Sequence, residues 1–313
     1  MIPGEQKIER MVKIARMYYE QDMTQSQIAK ELCISRPLVS ILLTEAKECG
    51  IVTISINDIN SNSDKLSVQL KEKFRLKDVV LVPDENIGDL TNMSVAEAAL
   101  NYCFSNKNSE KSLGIGWGTI IGYMADIAAN MPEEKRNTGS IFPLAGGLSS
   151  VARGYHINEM VRVFSIKNGK KADFLYIPAL FNLNGEAETI KKTDSYINIQ
   201  KNWDKMNQAI VSISNCPSCL DEEIKELYAD KSEGKYVAGQ ILAHCFDKSG
   251  NIINSDENNV LQASMKQLRR ADVTAVCANQ VKTIGIIGAL KTGVIDNLII
   301  PVSLAQKVAD YKE

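Results

Sequence analysis

The sequence predicts two folds in series: a small winged helix-turn-helix module, then a larger Rossmann-like α/β domain. Three observations predict this. Two short helical stretches with strong N-caps, TQSQIAKEL and SRPLVSILLTEAK, follow one another within the first fifty residues. Beyond residue 65, short apolar runs ending in Gly, Pro, Ser or Asn alternate with helical stretches, the pattern of repeated βα units. At 313 residues, the chain also exceeds the roughly 250–300 residues at which a single core stops growing.

The first helix is expected over Gln6 to Tyr19, with Ile8, Met11, Val12, Ala15 and Tyr19 at helical spacing. Thr24 with Gln27 three residues on makes a capping box, and Ile28, Ala29 and Leu32 form the inward stripe of the second helix. Ser35 caps a third helix with Pro37 in its first turn, where a missing N–H is harmless, and Val39, Leu42, Leu43 and Ala46 point inward. Gly50 is the expected stop, and the alternating IVTISI is the expected wing strand. Two helices three residues apart meet the demand of a helix-turn-helix, whose second helix enters the major groove. A three-helix packing module without DNA is the plainer alternative. The groove-facing set is Thr24, Gln25, Ser35, Arg36, Pro37, Ser40, Ile41, Thr44 and Lys47. Leu38 and Ile41 stand on a surface that should be polar, so they either complete the small core or touch thymine methyls. Seven cations balance seven carboxylates over residues 1–56, so one module alone should hold DNA weakly and several copies on one operator are needed.

INDINSNSD is rich in turn formers, giving a linker over 58–64 between a DNA-binding domain at 1–57 and an α/β domain at 65–313. DVVLVPD, KSLGIGWGT, GSIFPLAGG, DFLYIPAL, QAIVSIS, ADVTAVCAN and NLIIPVS read as strands of a parallel sheet, with MSVAEAALNYCF and SCLDEEIKELYA among the intervening helices. Ligands of such sheets bind at the carboxyl ends of the strands. There, GIGWGT places Gly116, Trp117, Gly118 and Thr119 at a helix start, which is either an anion site or a Gly-rich packing turn. It matches neither the Walker loop nor the dinucleotide fingerprint. Gly146, Gly147, Ser149 and Arg153 in LAGGLSSVARG offer a second phosphate grip, unless Arg153 merely pairs with a surface carboxylate. Lys282 is a phosphate ligand or a solvated helix-end charge, and Asp247 an acceptor for sugar hydroxyls or a turn residue.

A net charge of -2 excludes nothing, because a basic patch can hide in an acidic total. The charged N-terminus and the lack of a long apolar run predict a cytoplasmic protein without membrane contact. Seven cysteines in a chain of this size predict reduced thiols. Cys216 and Cys219 form the sole CxxC, read as a redox pair or a plain loop. No further zinc ligands stand at suitable spacing, so neither metal nor cofactor is expected, and His156 and His244 read as structural.

YY…TQSQIAKELCISRPLVSILLTEAKECGIVTISI resembles the N-terminal winged helix of SorC-type sugar-responsive transcriptional regulators, the group that includes the bacillary DeoR and central glycolytic regulators. LGIGWGT, PLAGG, YIPAL, VAGQILAHCFDKSG and VKTIGIIGALKTGVIDNLII resemble segments of that family's effector domain, in the same order and over nearly the whole chain. The resemblance implies a sugar-phosphate isomerase-like α/β effector domain that assembles as a tetramer, a dimer of dimers. It implies operator DNA and a phosphorylated sugar or polyol as partners, with ligand residues at Gly116, Thr119, Arg153, Asp247 and Lys282. Four departures stand out. Cys33 takes the turn position where glycine is usual, with a positive φ expected; Ile41 stands where arginine is usual; SISNCPSC lacks a GxG; and CANQVK lacks the usual glycines. Three functions follow for test: a sugar-phosphate-controlled regulator, a sugar-phosphate isomerase or deaminase, and a regulator whose α/β domain only oligomerises. The helix-turn-helix has no role in an enzyme, so the first is the reading adopted.

Overall fold

The computed structural model describes residues 5–19, 21, 23–49, 51–52, 62–85, 89–105, 110–133, 138–148, 156–181, 186–215, 237–253 and 260–312. The chain divides into two compact units, Met1–Asn60 and Ser61–Glu313. Gly50, the wing segment from residue 53, Ser149, Arg153, the Cys216/Cys219 pair and the helix expected at SCLDEEIKELYA lie outside the described residues.

In the first unit, α1 (Glu5–Tyr19), α2 (Gln25–Glu31) and α3 (Arg36–Glu48) surround one core. Thr24 caps α2 in a reciprocal box with Gln27, and Ser35 caps α3 by accepting from the Leu38 N–H at 3.4 Å. Ile28, Ala29, Val39, Leu42, Leu43 and Ala46 are buried, as their spacing predicts. On α1 the inward stripe differs from expectation. Met11 and Ala15 are buried as expected and Ile14 and Met17 join the core with them, whereas Ile8 and Tyr19 are exposed and Val12 is half-buried. Two apolar stripes on α1 both satisfy helical spacing, and only packing against α2 and α3 chooses between them. At the turn between α2 and α3, Cys33 adopts φ 52°, left-handed backbone that disfavours any side chain with a Cβ.

In the second unit, α4 (Asn62–Phe74) starts inside the span read as linker, so residues 62–64 are its first turn. A nine-stranded sheet follows, with β1 (Asp78–Val82), β2 (Leu113–Ile115), β3 (Ser140–Pro143), β4 (Lys171–Ala172), β5 (Gln208–Ser214), β8 (Asp272–Cys277) and β9 (Asn297–Pro301) parallel in the order β1-β9-β8-β5-β2-β3-β4. A short hairpin, β6 (Gly239–Ile241) and β7 (His244–Phe246), adds antiparallel to the end of β5, through Ile213 opposite Ile241. β9 is buried at every residue and β5 and β8 at nearly every one, which is why they read as unbroken apolar runs.

The crossovers through α5 (Leu90–Cys103), α6 (Thr119–Ala129) and α7 (Ile157–Lys167) step across the sheet in one direction, and that through α11 (Thr283–Lys291) steps back in the other. Because such crossovers are right-handed, the two sets cover opposite faces. In keeping with this, α5, α6 and α7 pack side by side, while α12 (Val302–Asp310) packs between α4 and α11. α8 (Glu186–Lys191), α9 (Asp194–Lys205) and the single-turn α10 (Met265–Leu268) complete the described helices. Fully buried Trp203 of α9 donates its indole N–H to the Pro143 carbonyl at 2.8 Å, tying α9 to the end of β3.

DFLYIPAL, expected as a strand, is instead irregular, with only isolated bridges at Pro178 and Leu180. Buried Asn158 explains this. Its side-chain amide donates to the Leu175 carbonyl at 2.9 Å and accepts from the Leu175 N–H at 3.1 Å, taking the place of a strand neighbour. Pro178 then brings no N–H to a ladder. Replacing Cys33 by glycine removes the left-handed strain at the helix-turn-helix corner. After allowing for glycine's greater unfolded entropy, Cys33→Gly is expected to stabilise the first unit by about 0.5–1 kcal/mol, measured by urea denaturation followed by circular dichroism.

Candidate functional site

In the first unit, the sequence-predicted groove residues share the solvent side: Thr24, Ser35, Arg36, Pro37, Ser40, Ile41, Thr44 and Lys47 are exposed and Gln25 is half-buried. The start of α2 and Arg36 of α3 line a surface groove of about 610 Å³ with Tyr18, Tyr19 and Met23. The Lys47 ammonium sits 5.9 Å from the Tyr19 ring centroid, a cation–π contact that orients it along α1. Two hydroxyls are occupied locally. Thr24 Oγ1 bonds Gln27 Oε1 at 2.8 Å, and Thr44 Oγ1 donates to the Ser40 carbonyl at 3.1 Å.

In the second unit, strand order reverses between β2 and β5: from β2 the chain winds toward β3 and β4, and from β5 toward β8 and β9. The crevice beyond the carboxyl ends at such a reversal is where α/β sheets bind ligands. The loop after β2 comes down directly on β5. Gly118 has φ 142°, and a Cβ there would lie 2.5 Å from Ser212 Cβ; a Cβ on Gly116 would lie 3.0 Å from the Ile210 carbonyl oxygen. These glycines serve close approach. The Gly116 N–H is donated to the Ile210 carbonyl at 2.9 Å, so it holds the loop and is not offered to a ligand. α6 then begins at Thr119 with no side chain capping it, so its first-turn N–H groups are presented at the carboxyl-end side of the sheet, where β2 ends.

Across β5, Lys282 sits at the N-cap of α11, also without a side-chain cap. Asn215, one residue past β5, accepts from the Lys282 N–H at 2.9 Å and donates to the Gln280 carbonyl at 3.0 Å. It thereby pins the β8 loop to the end of β5. The exposed Lys282 ammonium has no carboxylate partner among the described residues. Since β2 and β8 flank β5, the strands that lead into the Thr119 and Lys282 loops are about 10 Å apart, two strand spacings.

The β6–β7 hairpin extends from the end of β5 and packs against the glycine loop after β2. Its two-residue turn places Leu242 at φ 51°, and Leu242 Cδ2 lies 3.2 Å from where a Gly116 Cβ would be. Gln240 and Cys245 are register partners, so their side chains share a hairpin face, and on it Cys245 packs with Ala243, Val260 and the half-buried Trp117 of the glycine loop. Gln240 is 2% exposed, yet its Oε1 has no hydrogen-bond partner among the described residues. A buried acceptor left bare is costly, and a ligand hydroxyl or N–H would satisfy it. Sequence reasoning missed Gln240, Ser212 and Asn215. Their one sequence signal is a polar residue within or just past an apolar run, GQIL and SISN.

Other expectations need correction. Gly147 offers no phosphate grip, because its N–H is donated to the Ile177 carbonyl at 2.9 Å and that of Gly146 to the Leu261 carbonyl at 3.0 Å. Asp247 is latched in its own turn: Oδ1 accepts from the Ser249 and Asn251 N–H groups at 2.8 and 2.9 Å, and Oδ2 from Asn251 Nδ2 at 3.0 Å. Partial burial works against its ionisation, but these hydrogen bonds outweigh that and hold the carboxyl below its ordinary range. His244, by contrast, is structural as its sequence reading expected, with Nε2 2.8 Å from the Ala263 carbonyl. The described cysteines are free thiols, and burial pushes the Cys103 thiol up to about 12 and raises that of Cys277.

Residues 58–309 match the Sugar-bind family model, which describes a sugar-binding domain. Over 304 residues the chain is 30% identical to the sorbitol operon regulator of Klebsiella pneumoniae, covering 93% of this chain and 95% of that protein. The chain belongs to the SorC family of sugar-binding transcriptional regulators. It is 27% identical to the deoxyribonucleoside regulator of Bacillus subtilis, with 94% and 95% of the two chains covered. The crystal structure of full-length SorC from Klebsiella pneumoniae superposes with a TM-score of 0.85 at 27% identity, covering 97% of this chain and 99% of that one. These SorC-family relatives are named as regulators, and this chain is a transcriptional regulator. No helix among the described residues is long and apolar enough to cross a membrane.

The Asp247 latch carries a pH sign. Its folded pKa is depressed, so its stabilising contribution is complete above the ordinary carboxylate value of 3.8 and is lost as pH falls through the lower folded value. A carboxyl-detected NMR titration should place the Asp247 midpoint below 3.8. Asp247→Ala should destabilise the second unit by about 1–2 kcal/mol at neutral pH.

Proposed function

We propose that this SorC-family chain regulates a carbohydrate-utilisation operon in the cytoplasm, and that a phosphorylated sugar or polyol sets its affinity for operator DNA. In this division of labour residues 1–57 hold DNA, a short linker follows from residue 58, and the α/β unit that opens with α4 at Asn62 binds effector and joins copies as a dimer of dimers. The observation that carries the reading is the meeting, at the strand reversal, of an uncapped helix start at Thr119, the Lys282 loop and the bare buried oxygen of Gln240.

The first-turn N–H groups of α6 and the Thr119 hydroxyl suit a phosphate, since unsatisfied helix N-termini favour anions. Lys282 supplies the countercharge. Gln240 accepts from a sugar hydroxyl, with Trp117 and the apolar residues around Cys245 as the wall beside the ring. Gly116 and Gly118 let the loop lie close enough on β5 for this to happen, and Arg153 is a second cation for the same phosphate. Asp247 holds the turn that follows β7. Effector binding changes DNA affinity to the extent that it prefers one arrangement of the assembled chains. Since residues 1–56 carry no net charge, affinity for DNA comes from linking several modules on one operator.

The test is thermal denaturation of the full chain across phosphorylated pentoses, hexoses, ketoses and polyols. One member at a hundred times its dissociation constant should stabilise the second unit by about 2.7 kcal/mol. Thr119→Ala and Lys282→Ala should each abolish that shift. No shift with any phosphorylated sugar, for a protein that still retards DNA, would leave the α/β domain with assembly alone. Gln240→Leu gives a separate prediction: removing the bare acceptor should raise unliganded stability by about 1–2 kcal/mol while the ligand shift is lost, as paired melts with and without effector would record.

A further inference from the structure

The outward face of α3 carries a chemical pattern unlike that of its flank. Val39, Leu42, Leu43 and Ala46 are buried and centre on one side of the helix. At 100° per residue, Pro37, Ile41 and Thr44 fall within about 30° of the opposite direction, the one that faces furthest from the core. Arg36 and Lys47 lie to one side, roughly a quarter turn away, where Arg36 meets the groove at Tyr18 and Tyr19 and Lys47 meets the Tyr19 ring. The small core is complete without Ile41, which is 54% exposed. Thr44 gives its hydroxyl proton to the Ser40 carbonyl, so it cannot donate to a base edge and its methyl remains on the outward face. The centre of this face therefore offers apolar surface and no side-chain donor, while both cations stand on the flank.

We infer that Ile41, flanked by Pro37 and the Thr44 methyl, reads thymine by contact with its 5-methyl group, and that Arg36 and Lys47 fix the helix on the phosphates without reading sequence. The inference rests on the DNA-binding reading above. It follows from complementarity: phosphates line the rim of a major groove, and the thymine methyl is the one apolar group that base edges present there. An exposed isoleucine at the centre of the face has that partner and no hydrogen-bonding one. Burying one methyl is worth about 0.8 kcal/mol, which converts to roughly a fourfold change in affinity.

Duplexes are first enriched from a random pool with the full chain, and every thymine of the enriched site is then replaced singly by deoxyuridine, which deletes only the 5-methyl. At one or two positions per half-site, uracil should weaken binding by roughly fourfold, and by on the order of fifteenfold when symmetric positions in both half-sites are changed. Ile41→Ala should bind the thymine site more weakly and show no further loss with uracil, while its melting temperature stays that of the parent chain. Pools enriched with Ile41→Arg should replace thymine at those positions. If no thymine position responds to uracil, or if Ile41→Ala responds as strongly as the parent, the inference is overturned while the DNA-binding reading stands. If the parent chain enriches no duplex and retards none, the DNA-binding reading fails and this inference falls with it.

Discussion

The close seating of the β2 loop on β5 is the constraint on which the second unit's chemistry depends. Gly118 can reach Ser212 only because it has no side chain and because its φ of 142° is open to glycine. That approach sets where α6 begins, and so where its unpaired N–H groups point. The hairpin of β6 and β7 rests on the same loop through Leu242 and Gly116, and Trp117 is drawn into the apolar cluster beneath it. Leu242 holds a positive φ in a turn that would suit glycine, strain that its burial maintains. Helix start, hairpin and Trp117 are thus positioned by one backbone contact.

Side-chain amides do much of the remaining positioning. Asn215 bridges β5 to the Lys282 loop, and Asn92 accepts from the Asn279 N–H at 2.9 Å while donating to Gln280 Oε1, holding the same loop from α5. Asn158 replaces a strand neighbour for Leu175. An amide both donates and accepts without charge, so it can satisfy buried backbone without the desolvation penalty of a carboxylate or ammonium. Against that background two amide oxygens differ, Gln208 Oε1 at the start of β5 and Gln240 Oε1 on the hairpin at its end, neither of which has a partner among the described residues.

The first unit separates stability from recognition in a different way. Its core is a few aliphatic side chains closed by two capping residues, and the face of α3 away from that core is free to vary. With cations balanced by carboxylates, little of the module's binding can come from charge alone. Membership of the SorC family accounts for two such units in one chain, one for DNA and one for a sugar.

Much of this architecture was legible in the sequence. Caps are local, so Thr24 with Gln27 and Ser35 announced α2 and α3, and Val39, Leu42, Leu43 and Ala46 announced the face they bury. Buried parallel strands read as continuous apolar runs, so β2, β5, β8 and β9 could be placed together with the loops after β2 and β8 that carry Thr119 and Lys282. Tertiary structure decided the rest. Two stripes on α1 were equally periodic, and DFLYIPAL looked like a strand until Asn158 took its backbone partners. Gly147 looked like an anion site until its N–H proved to be donated to Ile177, and Gln240 carried no sign of its unmet acceptor. In each case the deciding partner lies elsewhere in the chain or is absent among the described residues. Local sequence specifies which conformations and hydrogen-bonding groups a segment possesses, but only the packed chain determines which of those groups remain unsatisfied.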